Sequence, residues 1–254
     1  MTVNPRNDPE FGGPSPKKCG SQETWIVEKI LVLGAAGILF ALLLPSLLIP
    51  GDGVPRPIVC KNNLKNIAIA LQGYRDRYGA FPPAYTVDAD GKPLHSWRTL
   101  ILPYLDNAPL YEDIDLKKPW DDEVNARFLE TPIGIYRCPN LGASGRNKTT
   151  YLAITAPDGW AQPGKRRRIE EFTDGLSETL LVIEVDEASA VPWGAPIDAD
   201  TATILGRGPN PPHGRIHAVF ADGSVKSLNP GLSAETLRAL STIAGGEKVK
   251  LNSD

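Results

Sequence analysis

The residues of this chain that could do chemistry are few. The chain has three cysteines and three histidines, namely Cys19, Cys60, Cys138, His95, His213 and His217. On the residues alone, Cys60 and Cys138 could form a disulfide on an oxidising side of a membrane, or all the cysteines could be unrelated buried thiols. Both interpretations stay open at this point.

The histidine spacing does not favour a metal site. His213 and His217 are four residues apart, with Asp222 beyond them. A helix would bring two such imidazoles together, but Gly214 and the alternating residues after it predict a strand, along which four residues span about 13 Å. We therefore predict no metal site and no cofactor. We also predict no enzyme, since the chain has no Gly-x-Ser-x-Gly turn for a serine nucleophile.

Two other stretches have the composition of a ligand site. Residues 88–91 (Asp-Ala-Asp-Gly) resemble the start of a calcium loop, but residues 92–94 (Lys-Pro-Leu) supply no further oxygen ligand, so a hairpin turn is expected. The basic run Lys165–Arg168 could contact an acidic polysaccharide or a phosphate, or it could form a solvated loop. The tryptophans are expected in the core: Trp97, Trp120, Trp160 and Trp193.

Composition limits the classes of protein that remain. The 254 residues are 41% hydrophobic and 22% charged, which is ordinary for a chain that buries a core. A net charge of -3 gives no reason to expect nucleic-acid binding.

The N-terminal region contains one long apolar segment. Residues 30–49 carry no charge, and 20 residues of helix are about 30 Å long. The sequence therefore predicts a transmembrane helix over residues 29–50. Basic residues balance on its two sides, so charge gives no orientation.

Helical and strand patterns follow the apolar segment. Gly and Pro in residues 51–58 indicate a linker, after which apolar residues from Cys60 to Tyr78 recur at steps of three and four and predict an amphipathic helix. Shorter helices are expected in residues 97–105, 123–130 and 234–244, with caps at Ser96, at Asp121 or Asp122, and at Ser233. Strands are expected at 133–137, 151–156 and 180–185.

The clearest local pattern is a hairpin near the C-terminus. Alternating residues 217–221 and 224–228 flank Asp222-Gly223, which predicts two antiparallel strands joined by a two-residue turn.

Several motifs occur in an order typical of one family. They include the stretch from Cys60 to Tyr111, then Pro-Trp-Asp-Asp at 119–122, Tyr-Arg-Cys-Pro-Asn at 136–140 and the final His-Ala-Val-Phe-Ala-Asp-Gly at 217–223. The chain resembles the planctomycete-type proteins of unknown function that have a prepilin-like N-terminus and a C-terminal His-x9-Asp-Gly motif. Glu28 stands where prepilin helices carry a glutamate, and Pro45 follows it by 17 residues.

The chain departs from this family at several points. Glu23 and Thr24 stand where the prepilin peptidase normally finds a glycine and an aromatic residue, and eight residues rather than nine separate His213 from Asp222. Asp222 and Gly223 match the motif directly.

The resemblance implies a fold and a location. It implies an α+β fold in which an N-terminal transmembrane helix precedes a pilin-like domain, with helices packed on one face of an antiparallel β-sheet. It places the N-terminus in the cytoplasm and the C-terminal domain outside it, on the periplasmic side, with a Cys60–Cys138 disulfide.

Together these observations predict a single-pass membrane protein with five segments. They are a cytoplasmic tail (1–28), the transmembrane helix (29–50), a linker (51–58), an extracytoplasmic α+β domain (59–245) and a flexible tail (246–254). The expected function is that of a non-enzymatic, pseudopilin-like structural or interaction protein of the cell envelope. Its expected partners are the lipid bilayer and other pilin-like or envelope proteins. The alternative is a carbohydrate- or peptide-binding module.

Overall fold

The structure is a computed structural model. It describes residues 56–139, 145–201 and 214–247, together with residues 29, 33, 34, 204 and 249. The chain divides into two compact units, Met1–Gly53 and Val54–Asp254. In the first unit the described residues Lys29, Leu33 and Gly34 are helical.

The predicted fold class is wrong in its transmembrane helix and in its purely antiparallel sheet. Among the residues that the structure describes, no helix combines the length and apolar composition needed to cross a bilayer. Most of the predicted segment 29–50 lies outside those residues. The observed fold is α+β with a mixed sheet.

Helix α1 (Arg56–Tyr78) opens the second unit and confirms the predicted amphipathic helix. Its buried face includes Cys60, Leu64, Ile67 and Leu71, which recur at helical spacing. The helix ends at Gly79, whose φ of 72° lies in the left-handed region that favours glycine.

Short elements follow α1. They are β1 (Tyr85–Val87), β2 (Pro93–Ser96), α2 (Trp97–Leu100), a 3-10 turn (Leu102–Tyr104), α3 (Ala108–Asp113), α4 (Glu123–Leu129) and a 3-10 turn (Gly134–Tyr136). Ser96 and Asp122 cap α2 and α4 through their side chains, in agreement with the predicted caps. The predicted strand at 133–137 is instead the second 3-10 turn.

The remaining elements include all five strands of the main sheet. They are β3 (Lys148–Thr149), β4 (Tyr151–Thr155), a 3-10 turn (Ile169–Glu171), β5 (Leu180–Glu184), a 3-10 turn (Glu187–Ser189), β6 (Val191–Pro192), β7 (Ala199–Asp200), β8 (Ile216–Phe220), β9 (Val225–Leu228) and α5 (Ala234–Ser241). The main sheet has the order β7-β4-β5-β8-β9. Strand β7 runs parallel to β4, and the other neighbouring pairs are antiparallel.

The parallel pair has a physical reason that the sequence pattern does not show. Ile154 of β4 lies opposite Ala199 of β7. The chain between these two residues is long enough to form the crossover connection that parallel strands require. Two residues are too few to show a strand periodicity.

Helices cover both faces of the sheet, which corrects the prediction of one covered face. Leu181 packs with α1 in the larger apolar cluster, whereas Leu180 and Ile183 pack with Leu237 and Leu240 of α5 in the other. The central strand β5 is therefore buried on both sides, as its apolar run suggests.

Both predicted hairpins are present. Strands β1 and β2 are antiparallel, and Asp88 Oδ1 accepts hydrogen bonds from the backbone N–H groups of Asp90 (2.9 Å) and Lys92 (2.8 Å). Four residues, 221–224, separate β8 from β9, and the bond from Phe220 N–H to Ser224 O at 2.9 Å extends the strand pairing, so that the loop proper has three residues rather than the predicted two. Gly223, with φ 86°, takes the left-handed position of this loop.

Candidate functional site

Cys60 and Cys138 lie side by side at the buried face of α1. Cys60 is on the buried face of this helix, and Cys138 follows the 3-10 turn Gly134–Tyr136. Their Sγ atoms are 3.2 Å apart, and their exposed fractions are 0% and 1%. The structure therefore brings the two predicted cysteines together, as two thiols. A disulfide has an S–S length of about 2.05 Å, so bond formation needs a shift of about 1 Å.

Glu184 joins the two thiols from the end of β5. One oxygen of its carboxyl group and the two sulfur atoms all lie within 4.8 Å of one another, and Glu184 is 2% exposed. We call Cys60, Cys138 and Glu184 the thiol–carboxyl cluster. Its position follows from alternation along β5, which turns Glu184 toward α1 while Ile183 points to the other face.

Polar neighbours hold this cluster in place. Asn63, one helical turn after Cys60, donates from Nδ2 to the backbone oxygen of Arg137 (3.1 Å) and to Tyr151 Oη (3.3 Å). These bonds join α1 to the segment that carries Cys138 and to β4, which begins at Tyr151.

Burial favours the neutral, protonated forms of Glu184 and Cys60. Burial, and then the nearby Cys138, raise the pKa of Glu184 to about 8. The contact with Cys138, together with burial, raises the pKa of Cys60 far above its usual range. Burial likewise raises the pKa of Tyr151. Charged forms lose their hydration in such a site, so the protons stay bound.

His217 borders the cluster on β8. Its Nδ1 lies 3.0 Å from Ser227 Oγ, directly across the β8–β9 pair. Ile183 of β5 lies opposite Ala218 of β8, and continuing this register by one residue places Glu184 opposite His217. The sequence singled out His217 but gave it no such neighbours.

The cluster has two chemical possibilities. Two adjacent thiols can be oxidised to a disulfide, which releases two protons and two electrons to an oxidant. Two thiolates and a carboxylate could also supply three ligands to a thiophilic cation, but all three groups would have to lose their protons first. The raised pKa values of Cys60 and Glu184 oppose that loss.

Two of the other predicted site residues, Asp222 and Gly223, lie in the β8–β9 loop. There, Asp222 Oδ1 accepts from Ser224 N–H at 2.8 Å, and Gln72 of α1 donates to the backbone oxygen of Ala221 at 3.0 Å. Asp222 therefore stabilises the loop, and the neighbouring Ala221 links the hairpin to α1. His213, Glu28 and Pro45 lie outside the described residues.

His95 has a structural role in the described part of the chain. It is 2% exposed, and its Nε2 lies 2.8 Å from the backbone oxygen of Lys118. Burial lowers its pKa. Three of the four tryptophans expected in the core, Trp97, Trp160 and Trp193, are fully buried, and Trp120 is half-buried.

Sequence reasoning missed a buried ion pair. Arg98 NH1 lies 2.7 Å from Asp198 Oδ1, and their side chains are 0% and 3% exposed. Arg98 also donates to the backbone oxygens of Trp193, Ala195 and Ile197, each at 2.8 Å. This pair fixes the segment before β7. An Arg beside a capping serine gives no signal of burial in the sequence.

Comparison with known proteins supports one relation. Residues 56–161 match a family described as "Protein of unknown function (DUF1559)". The match covers α1 to the start of the loop after β4 and includes both cysteines of the cluster. Neither the curated proteins nor the solved structures that were compared contain a match to this chain. The similarity supports a domain-of-unknown-function family and assigns no activity.

Proposed function

We propose that this protein is a non-enzymatic structural or interaction protein of the cell envelope, acting through the domain that begins at α1. The observation that carries this proposal is the burial of the thiol–carboxyl cluster. Cys60, Cys138 and Glu184 are at most 2% exposed, so a substrate in solution has no path to them in this conformation. The cluster then serves to hold α1 against the sheet.

The state of the thiols supports the same proposal. A nucleophilic cysteine needs a lowered pKa, which a nearby cation or a helix N-terminus provides. Cys60 has the opposite environment, because Cys138 and burial raise its pKa.

The contact between His217 and Ser227 also favours a structural role. Both residues lie on regular strands and form a cross-strand pair. A serine nucleophile of the hydrolase type stands on a sharp turn, where its oxygen is exposed. Ser227 has no such turn.

We further propose that the domain lies on the extracytoplasmic side, where the cluster closes to a Cys60–Cys138 disulfide. The separation of 3.2 Å between the two sulfur atoms supports this step. Oxidising compartments are where such bonds persist. The prepilin-like and planctomycete-type relations rest on the sequence resemblance alone.

Labelling of the full-length protein with a fluorophosphonate probe tests the non-enzymatic assignment. The probe reacts with activated serines, and we expect no labelling of the native protein. The matched variant Ser227→Ala identifies the nucleophile if labelling occurs. Labelling of any serine would overturn the assignment, and its loss in Ser227→Ala would give Ser227 the role of a nucleophile.

One observation favours a second candidate function, the binding of a ligand. Several tyrosines and arginines meet at the C-terminal end of α1 and stay partly exposed.

A further inference from the structure

Four tyrosines gather where α1 ends. The ring centroids of Tyr74 and Tyr78 are 4.4 Å apart, and those of Tyr74 and Tyr104 are 6.3 Å apart. Burial, followed by the nearby Tyr78 and Tyr104, raises the pKa of Tyr111, which places Tyr111 in the same group. Tyr74 is buried, whereas Tyr78 is 48% exposed, and Tyr104 and Tyr111 are half-buried. The outer three rings therefore reach the surface.

The close approach of Tyr104 to α1 depends on Gly73. A Cβ atom at this position would lie 2.8 Å from Tyr104 Cδ1, closer than real contacts allow. The glycine thus leaves room for the ring of Tyr104 against the helix. Glycine in a helix interior otherwise costs about 1 kcal/mol of stability relative to alanine.

One cation lies against these rings, and a second lies near them. The guanidinium carbon of Arg166 is 5.0 Å from the ring centroid of Tyr78 and 5.7 Å from that of Tyr74. Arg77, on α1, is close enough to Tyr104 to lower its pKa against the larger effect of burial. Both arginines are exposed.

The loop that carries Arg166 is held to the body of the domain. Phe81 N–H donates to the backbone oxygen of Arg167 at 2.8 Å, and Gly164 N–H donates to that of Tyr85 at 2.9 Å. Arg166 is therefore held beside the tyrosines by main-chain bonds on both sides of it. The structure favours this ordered arrangement over a freely solvated basic loop.

Two nearby acidic side chains pair with other arginines, so Arg77 and Arg166 remain available to bind a ligand. Asp76 pairs with Arg75 at 2.7 Å, and Glu171 pairs with Arg167 at 2.8 Å. Within the described residues, no ion pair involves Arg77 or Arg166. Glu112 and Asp113, which follow Tyr111 on α3, place negative charge on that side of the tyrosines. The positive charge of Arg77 and Arg166 therefore lies on the side of α1.

We infer that this tyrosine surface, formed by Tyr78, Tyr104, Tyr111, Arg77 and Arg166, binds an acidic polysaccharide. The exposed parts of phenol rings offer apolar surface to the C–H groups of a sugar ring and a hydroxyl group for hydrogen bonding. Guanidinium groups bind carboxylate or sulfate groups through two parallel hydrogen bonds. The inference rests on the proposed function, because it names the ligand class of an interaction domain.

An acidic peptide is the competing ligand. A peptide usually gains affinity by adding a strand to a sheet edge or by placing apolar side chains in a groove. The tyrosine surface lies on a helix end and a loop, and its exposed groups are rings, hydroxyls and guanidinium groups. These features favour a chain of charged sugars.

Affinity electrophoresis of the full-length protein in gels that contain polygalacturonate tests this inference. We expect retardation by polygalacturonate and none by neutral pullulan. Arg166→Gln and Tyr78→Ala should each weaken binding about tenfold, the loss expected for one charged hydrogen-bonded contact or one aromatic contact.

The matched control is Lys65→Gln. Lys65 is an exposed cation on α1, 13 residues before Tyr78 and therefore about 20 Å away along the helix. It should bind within twofold of the wild type, and thermal unfolding checks that all variants fold.

Three outcomes overturn the inference. They are no retardation of the wild type, equal weakening by Lys65→Gln, and stronger binding to polyglutamate than to polygalacturonate. None of these affects the proposed function, which fails separately if the fluorophosphonate probe labels a serine.

Discussion

At the scale of single residues, buried ionisable side chains affect the stability of this domain. Arg98 donates to four backbone oxygens and to Asp198 at once, and burial favours the protonated form of Glu184. The folded state would lose much stability if Arg98 lost its hydrogen-bond partners or if Glu184 ionised in its buried position. Their effects can be measured separately.

Arg98→Leu should lower the free energy of unfolding by about 3–5 kcal/mol, because it leaves Asp198 charged and buried without its partner. Urea unfolding at pH 7 measures this loss. The matched control is Arg75→Gln, which removes an exposed ion pair with Asp76 and should cost less than about 1 kcal/mol. Equal losses in the two variants would show that Arg98 contributes no more than a surface pair.

Glu184 should make the reduced protein less stable as pH rises. Its folded pKa of about 8 exceeds the ordinary value of 4.5, so between these pH values the folded state holds a proton that the unfolded state has released. The free energy of unfolding then falls with pH in this window, by at most about 1.4 kcal/mol per pH unit. Glu184→Gln should remove this slope in urea unfolding with both thiols reduced.

Two comparisons isolate the effect of Glu184. His95, whose pKa is lowered, adds the opposite slope below about pH 6.5 in both proteins, so it cancels in the difference. Glu112→Gln replaces an exposed carboxyl and serves as the matched control. If Glu184→Gln keeps the wild-type slope, the carboxyl is ionised in the folded protein.

At the scale of elements, the β8–β9 loop depends on its glycine. Gly223 has φ 86°, and a Cβ atom there would lie 3.3 Å from Gln72 Nε2. Gly223→Ala should therefore cost about 1–2 kcal/mol of stability, measured by thermal or urea unfolding. Gly134→Ala is the control, since Gly134 has no heavy atom within 4 Å of an added Cβ, and it should change stability by less than half as much. Equal effects would show that the loop tolerates alanine.

Sequence patterns predicted the elements whose information is local. The period of apolar residues in α1 and the Asp222-Gly223 turn lie within short segments, and both elements are present. The strand predicted at 133–137 failed because its alternating apolar residues fit a 3-10 turn equally well. Strand β7 was not predicted, since two residues carry no period.

The candidate site was predictable only in part for the same reason. The resemblance paired Cys60 with Cys138, but no local pattern links either to Glu184, which sheet register and burial bring beside them. The pair Arg98–Asp198 is separated by 100 residues and has no sequence signature. The tyrosines of α1 fitted a core stripe, although Tyr78 is half exposed.

At the scale of the whole molecule, the two cysteines determine how strongly α1 is joined to the segment after the 3-10 turn Gly134–Tyr136. Cys60 and Cys138 are 78 residues apart, and a disulfide across such a loop should stabilise the protein by about 4 kcal/mol in the chain-entropy model. Protein extracted from its native cells, denatured and thiol-labelled, should show an intact mass with two fewer labels before reduction than after it.

The control for this experiment is Cys19→Ser. This variant should lose the label of Cys19 and keep the same difference of two labels. Full labelling without reduction would show that Cys60 and Cys138 stay thiols in the cell, and it would remove the support for an extracytoplasmic domain.

The contact between α1 and the β8–β9 loop also sets when this domain can finish folding. Gln72 donates to the backbone oxygen of Ala221, 149 residues later, and β8 lies next to the central strand β5. Pairings between such distant segments form slowly, because the chain between them must first be ordered. During synthesis, the parts of α1 and β5 that contact β8 and its loop therefore stay uncovered until residue 221 has left the ribosome.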